Sequence, residues 1–217
     1  MSTTPSAELT LRQLFDQLAA ALGPSGWWPA DSPAEILVGA VLVQNTNWQN
    51  VAKSLANLRA ATAFSPQRLA DLPLDQLQQL IRPSGFFRHK SQALHSLFAW
   101  LQAQDATYAD IGQRPPHQLR QSLLALPGIG PETADAMRLY VFNQPTFIAD
   151  HYSRRLFSWL GADYRTYAQL KAVTQAVDNW SVADAQELHG LIDNFGKTAK
   201  TPADFNASFL AGTQLRL

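Results

Sequence analysis

An all-α fold is predicted for this 217-residue chain, on three observations. Apolar residues recur at helical spacing through most of its length, and proline-led helix starts and glycine breaks punctuate them. No alternating run long enough for a half-buried strand interrupts the pattern. The first clear element opens at Ser32-Pro33-Ala34-Glu35, which reads as a capping box with proline at the first helical position. The apolar run behind it, Ile36 to Val43, is far shorter than the roughly 20 residues that span a bilayer. Val51, Leu55 and Leu58 keep helical spacing, Ser65-Pro66 starts a further helix, and Leu74, Leu77 and Ile81 another. Gly85 breaks the pattern before Leu94, Leu97, Phe98 and Leu101, and Pro115-Pro116 breaks it again. Trp100, Trp159 and Trp180 lie on helical patterns and are expected in the core.

The most informative stretch is Leu126-Pro127-Gly128-Ile129-Gly130-Pro131-Glu132-Thr133-Ala134-Asp135. It is a tight Gly-x-Gly turn that enters a helix. Such a turn presents backbone N–H groups and a helix N-terminus to one phosphate. Lacking Cβ, Gly128 and Gly130 are free to take positive φ and to approach a ligand closely. The plainer alternative is a structural helix–helix turn. After a gap of about one helix comes Phe147-Ile148-Ala149-Asp150-His151, which supplies a carboxylate. An aspartate there serves either as an N-cap or as a reacting group, and the two roles are compatible.

Composition limits the partners. A hydrophobic share of 46% suits a globular chain with disorder confined to the first few residues. Met1 to Ser6 lacks the charged and apolar regions of a signal peptide, and no membrane partner is expected. The chain has no cysteine, so it needs no oxidising compartment, and the cytoplasm is the expected location. Its 17 basic and 17 acidic side chains argue against holding nucleic acid by a broad field. A grip on a few phosphates through backbone dipoles and a local basic rim remains open. Arg82, Arg88 and Lys90 cluster in one loop, and Arg154 and Arg155 follow Asp150; each is either a phosphate contact or a solvated charge. His89, His95, His117, His151 and His189 show no ligand spacing, so no metal is expected.

Taken together, these blocks resemble the endonuclease III superfamily of helix-hairpin-helix DNA glycosylases. Besides the hairpin and Asp150, Gly39 to Thr46 looks like the early helix that ends in the family's duplex-entering glutamine, here Gln44 beside Asn45. Ile81 to Lys90 looks like the second DNA-facing loop, with Arg82, Gly85, Phe86, Arg88 and Lys90. Leu188 to Lys197 looks like the late helix. The resemblance implies a two-lobed helical fold. Residues of about 32–140 would form a six-helix barrel ending in the hairpin, residues 1–31 and 141–217 a discontinuous second lobe, with the active site in the cleft between. It implies double-stranded DNA with damaged bases as partner, a monomer, and phosphate contacts from Gly128, Ile129, Gly130 and Thr133. Gln44 would fill the gap left by a flipped nucleotide, with Phe86 or Phe87 wedging the opposite side.

Two departures sharpen the reading. Lyase members carry a lysine where this chain has Glu132, and a carboxylate forms no imine. Many members bind an iron–sulfur cluster through four cysteines, and a chain without cysteine has no thiolate for one. No cofactor is expected. Lys197 and Lys200 fall where the cluster segment would begin, either as a cluster-replacing polar network or as two solvated lysines. For the base pocket the candidates are Trp27, Trp28 and Trp48, of which at least one is expected to stack on a flipped base. Glu132 either favours a cationic base there or is an exposed acid at a helix N-terminus. The expected activity is hydrolytic excision of alkylated purines, 3-methyladenine first, with Asp150 as catalyst. The alternatives are excision of mismatched or oxidised bases, or DNA binding without chemistry.

Overall fold

A computed structural model describes residues 7–217; the Met1–Ser6 stretch weighed above as a leader lies outside the described residues. The described chain is helical nearly throughout and divides into two compact units, residues 29–144 and residues 7–28 with 145–217.

In order, the helices are α1 (Leu11–Leu22), α2 (Pro33–Leu42), α3 (Trp48–Thr62), α4 (Pro66–Asp71), α5 (Leu74–Leu80), α6 (Phe87–Ala103), α7 (Tyr108–Gly112), α8 (Pro116–Leu124), α9 (Pro131–Tyr140), α10 (His151–Trp159), α11 (Tyr167–Val173), α12 (Val182–Thr198) and α13 (Pro202–Asn206). Short 3-10 turns occupy Arg82–Ser84 and Gln175–Asn179. The sheet is one addition to the all-α expectation. Strands β1 (Ala7–Leu9) and β2 (Thr213–Leu215) pair in parallel, Ala7 opposite Thr213 and Leu9 opposite Leu215. Three residues each are too few to leave an alternating pattern in sequence.

The unit of residues 29–144 is organised on α2. Ala34, Glu35 and every residue from Leu37 to Leu42 are buried, so this helix is enclosed on all sides. It packs on α3, α6 and α9, while α8 packs on α9 across the Gly-x-Gly turn. The start of α2 departs from a reciprocal capping box. Ser32 Oγ accepts from the Glu35 N–H, but the Glu35 carboxylate accepts from the Asp31 N–H and pairs with Arg59 at 2.6 Å. Buried Glu35 needs that cation more than it needs the Ser32 N–H, because an unpaired buried carboxylate is far costlier than an exposed amide.

In the other unit α12 is the spine. It packs on α10 and on α1 through Ala185, Leu188, Leu191, Ile192 and Phe195. No described helix is long and apolar enough to cross a membrane.

Candidate functional site

The hairpin is built largely from backbone. The α8 helix ends at Leu124, and the Ile129 N–H donates to the Leu126 carbonyl at 3.2 Å to close the turn. Gly128 has φ +76°, and a Cβ there would lie 2.9 Å from the Ala93 Cβ, so both conformation and space require glycine. Gly130 differs from the expectation. Its φ is −88°, an extended conformation open to any residue, and a Cβ there would meet nothing within 4 Å. The open space in front of it, not its dihedral freedom, is what glycine preserves. Neither the Gly128 nor the Gly130 N–H donates to any group among the described residues. Both stand at the N-terminus of α9, whose Pro131 supplies no donor of its own.

Beneath this turn lies a charged brace that composition did not reveal. Fully buried Asp135 accepts from Arg120 on α8 at 2.9 and 3.2 Å and from Arg138 at 3.0 Å. Arg138 also donates to the Gln144 side chain, whose amide donates to the Gly112 and Arg114 carbonyls. The two helices of the hairpin are thereby tied in a fixed relation close behind the turn.

Gln44 and Asn45 follow α2, and Asn45 takes φ +53°. The Gln44 amide donates to the Gly128 carbonyl at 3.1 Å and to the Thr133 hydroxyl at 2.9 Å. Thr133 is buried, so its hydroxyl serves this contact and not a phosphate. Gln44, Asn45, Gly128, Ile129, Gly130, Glu132 and Thr133 line one open recess of about 530 Å³. A smaller recess of about 140 Å³ continues from Gln44, Asn45 and Gly128 to Phe86, His89 and Lys90. Three blocks far apart in sequence thus share one face of this unit. On it Phe86 stands 64% exposed in a left-handed conformation, and Arg82 and Arg88 are exposed beside it.

Lys90 is a correction. It is buried, and its ammonium donates to the Leu42 carbonyl at 2.9 Å and the Ser84 carbonyl at 2.7 Å. Burial pushes its pKa down. The residue caps the C-terminal end of α2 with positive charge and is unavailable to phosphate. Trp48 opens α3 and lines a recess with Pro29, Ala52, Ala56 and Arg59. Glu132 itself is exposed in the first turn of α9.

The unit that carries Asp150 is built from side chains. Asp150 is the N-cap of α10; Oδ1 accepts from the Ser153 N–H at 2.8 Å, and Oδ2 accepts no hydrogen bond among the described residues. The residue is half-buried and its frame is tied down on both sides. Ser153 Oγ donates to the Ile148 carbonyl at 2.9 Å, and Arg154 donates to the Ala149 carbonyl at 2.6 Å. Arg154 is therefore folded onto the backbone just before Asp150. His189 on α12 feels the charges of Asp150, Asp193 and Lys197. Burial pushes its pKa down, opposed by the two carboxylates and reinforced by the lysine.

Trp27 and Trp28 pack with ring centroids 5.1 Å apart on a strap held against α12. The Ser25 N–H and hydroxyl both donate to Glu187 at 2.7 Å, and Asn194 donates to the Ser25 carbonyl at 3.1 Å. Gly190 lets the strap close on the helix, since a Cβ there would come within 2.8 Å of the Trp27 Cβ. The Lys197 ammonium lies 4.5 Å from the Trp27 ring centroid and pairs with Asp193. Lys200 is exposed, and it acts on Asp204, through its backbone N–H at 2.9 Å and through its charge. The group that ties down the end of α12 is Arg155, which donates to the Gly196 and Ala199 carbonyls and lies over the rings of Tyr152 and Trp159. Sequence reading missed Arg155 and His189 in these roles. The Asp193–Lys197 pair left one usable signal, an acid four residues ahead of a lysine on one helix face. Among the described residues no group of three or more His, Cys, Asp or Glu is placed to hold a metal ion.

An all-helical frame with a glycine turn offering two N–H groups at a helix N-terminus defines a helix-hairpin-helix protein. The chain belongs to the HhH-GPD superfamily of base excision DNA repair proteins, whose family model matches residues 38–195. It is 31% identical over 184 residues to a protein of Methanocaldococcus jannaschii named as a DNA repair glycosylase, which covers 83% of this chain and 84% of the relative. Among solved structures it is similar to an H. pylori 3-methyladenine DNA glycosylase bound to 1,N6-ethenoadenine. That match has a TM-score of 0.76 and 28% identity over 87% of this chain and 98% of the other. An endonuclease III in a non-covalent complex with DNA shares the fold at a TM-score of 0.73 and 23% identity, over 93% of this chain and 94% of that one.

Proposed function

We propose that this chain is a monofunctional DNA glycosylase that hydrolyses the N-glycosidic bond of alkylated purines, 3-methyladenine first among them, in base excision repair of double-stranded DNA. Two separate observations carry the reading, the Asp150 cap in the structure and Glu132 in the sequence. One carboxylate is fixed at a helix N-terminus with an oxygen to spare, and another stands where a lyase would carry its amine.

The chemistry follows. A 3-methylated adenine in DNA is cationic, so its C1′–N bond breaks with the electron pair leaving on the base, which departs neutral. Positive charge then develops on the sugar, and the Asp150 carboxylate stabilises it. Water adds its oxygen to C1′, and its proton leaves through Asp150 to solvent. The base needs no acid to leave, in keeping with a site that offers one carboxylate. Glu132 has no nitrogen with which to form a Schiff base, so it does not support strand cleavage by that route. The Gly128 and Gly130 N–H groups would hold a phosphate of the duplex, with Arg82 and Arg88 as the rim and Gln44 with Phe86 entering the stack. Similarity to the 3-methyladenine glycosylase of H. pylori over nearly its whole length supports the substrate class.

The test is release of bases from methylated duplex DNA, followed by chromatography, for wild type and Asp150→Asn. Asparagine still accepts the Ser153 N–H, so the cap survives and only the charge is lost. Release of 3-methyladenine by wild type alone is expected, with binding to abasic-site DNA retained in the variant. Robust excision of an oxidised pyrimidine with no alkylpurine released would reject the substrate class.

A further inference from the structure

Resting on the reading that Gln44 enters the stack where a nucleotide has flipped out, we propose that Thr133 and the Gly128 carbonyl lock Gln44 as an acceptor-only reader of the orphaned base, selecting thymine or guanine over cytosine or adenine. A count of hydrogen-bonding groups carries the argument. A glutamine side chain has two N–H donors and one carbonyl acceptor. The Gln44 amide nitrogen donates to the Gly128 carbonyl at 3.1 Å and to the Thr133 hydroxyl at 2.9 Å, so both donors are spent within the protein. The reverse orientation of the amide would set its oxygen against the Gly128 carbonyl, two acceptors with no proton between them. Gln44 Oε1 accepts no hydrogen bond among the described residues, and Gln44 lines the open recess in front of the hairpin. The anchors do not follow the amide outward. Thr133 is buried in the first turn of α9, and Gly128 is fixed by its left-handed backbone.

When a purine leaves the stack, the base opposite loses its partner along the Watson–Crick edge. At the centre of that edge thymine N3 and guanine N1 carry a proton, whereas cytosine N3 and adenine N1 carry a lone pair. Facing Oε1, thymine and guanine complete a hydrogen bond. Cytosine and adenine set acceptor against acceptor and leave both groups unpaired. Alkylated adenine stands opposite thymine and alkylated guanine opposite cytosine, so the lock favours sites of alkylated adenine. Gln44 reads the orphaned base and not the reacting bond, so it determines specificity. Thr133 acts through Gln44 and is a positioning residue.

The test is equilibrium binding of the full chain to duplexes with one abasic site opposite thymine, cytosine, guanine or adenine. With no base left to flip, the pairing strength of a lesion drops out, and comparison within pyrimidines and within purines keeps ring size constant. Wild type is expected to bind the thymine duplex about two- to tenfold tighter than the cytosine duplex, and the guanine duplex tighter than the adenine duplex by a similar factor. Gln44→Leu is expected to lose both preferences. Thr133→Val, which releases one N–H of the amide, is expected to narrow them, and Thr133→Ser, which keeps the hydroxyl, to retain them; thermal melting checks that each variant is folded. No preference in wild type, or an undiminished one in Gln44→Leu or Thr133→Val, overturns the lock, while release of 3-methyladenine by the same protein leaves the glycosylase reading standing. No release, together with no preference for abasic over intact duplex, overturns the glycosylase reading and the lock with it.

Discussion

The glycine hairpin and the head of α10 each leave polar atoms without a hydrogen-bond partner among the described residues, and the chain builds them by opposite means. At the hairpin those atoms are backbone N–H groups, and side chains such as Asp135, Arg138 and Thr133 hold that backbone still. At α10 the atom belongs to a side chain, Asp150, and backbone groups hold it: the Ser153 N–H directly, the Ile148 and Ala149 carbonyls through their neighbours. A backbone site is sensitive to shape and tolerant of charge. A carboxylate site is the reverse.

Substitutions that separate shape from charge break this contrast most directly. The largest effect is expected at Asp150, where loss of the charge in Asp150→Asn lowers excision about 10²- to 10⁴-fold with little change in melting temperature. At the hairpin, Gly128→Ala is expected to destabilise by about 1–3 kcal/mol, because it forces positive φ and a contact with Ala93. Gly130→Ala, facing open space, is expected to change stability by less than about 0.5 kcal/mol yet weaken DNA binding, which denaturant melts and titrations would separate.

Two neighbouring cations sharpen the same point. Lys90→Met strands the Leu42 and Ser84 carbonyls, costing about 1–3 kcal/mol of stability without altering the salt dependence of binding. Arg88→Gln should do the opposite, lowering the slope of log affinity against log salt by about 1. The smallest effect is a pH dependence. The His189 pKa is depressed below its ordinary 6.5, so the unfolded chain binds the proton first. Stability from this residue is present above about pH 6.5 and is lost as pH falls toward the folded value. Melting temperature measured from pH 8 to pH 5 should fall less in His189→Asn.

The same contrast explains what was legible in the sequence. The helices and the hairpin were legible because local rules write them: apolar spacing for α2, α3 and α6, and Gly-x-Gly with a following proline for the turn. The Asp150 cap was legible from its residue type. Lys90 was misread because Arg82, Arg88 and Lys90 look alike as a run, and only the approach of Leu42 from 48 residues away turns one of them inward. The strap was illegible for the same reason, since Ser25 and Glu187 stand 162 residues apart. Burial in α2 likewise diverted Glu35 from Ser32 to Arg59, a choice that local propensity does not encode.

Arg155 carries a further consequence. The end of α12 is closed by a guanidinium on two carbonyls and two aromatic rings, all supplied by the chain itself. With no cysteine anywhere in the sequence, this closure has no thiol to oxidise and no thiolate-bound iron to acquire or lose. A brace of this kind is finished when the polypeptide is finished. Its persistence is set by folding, independent of iron supply.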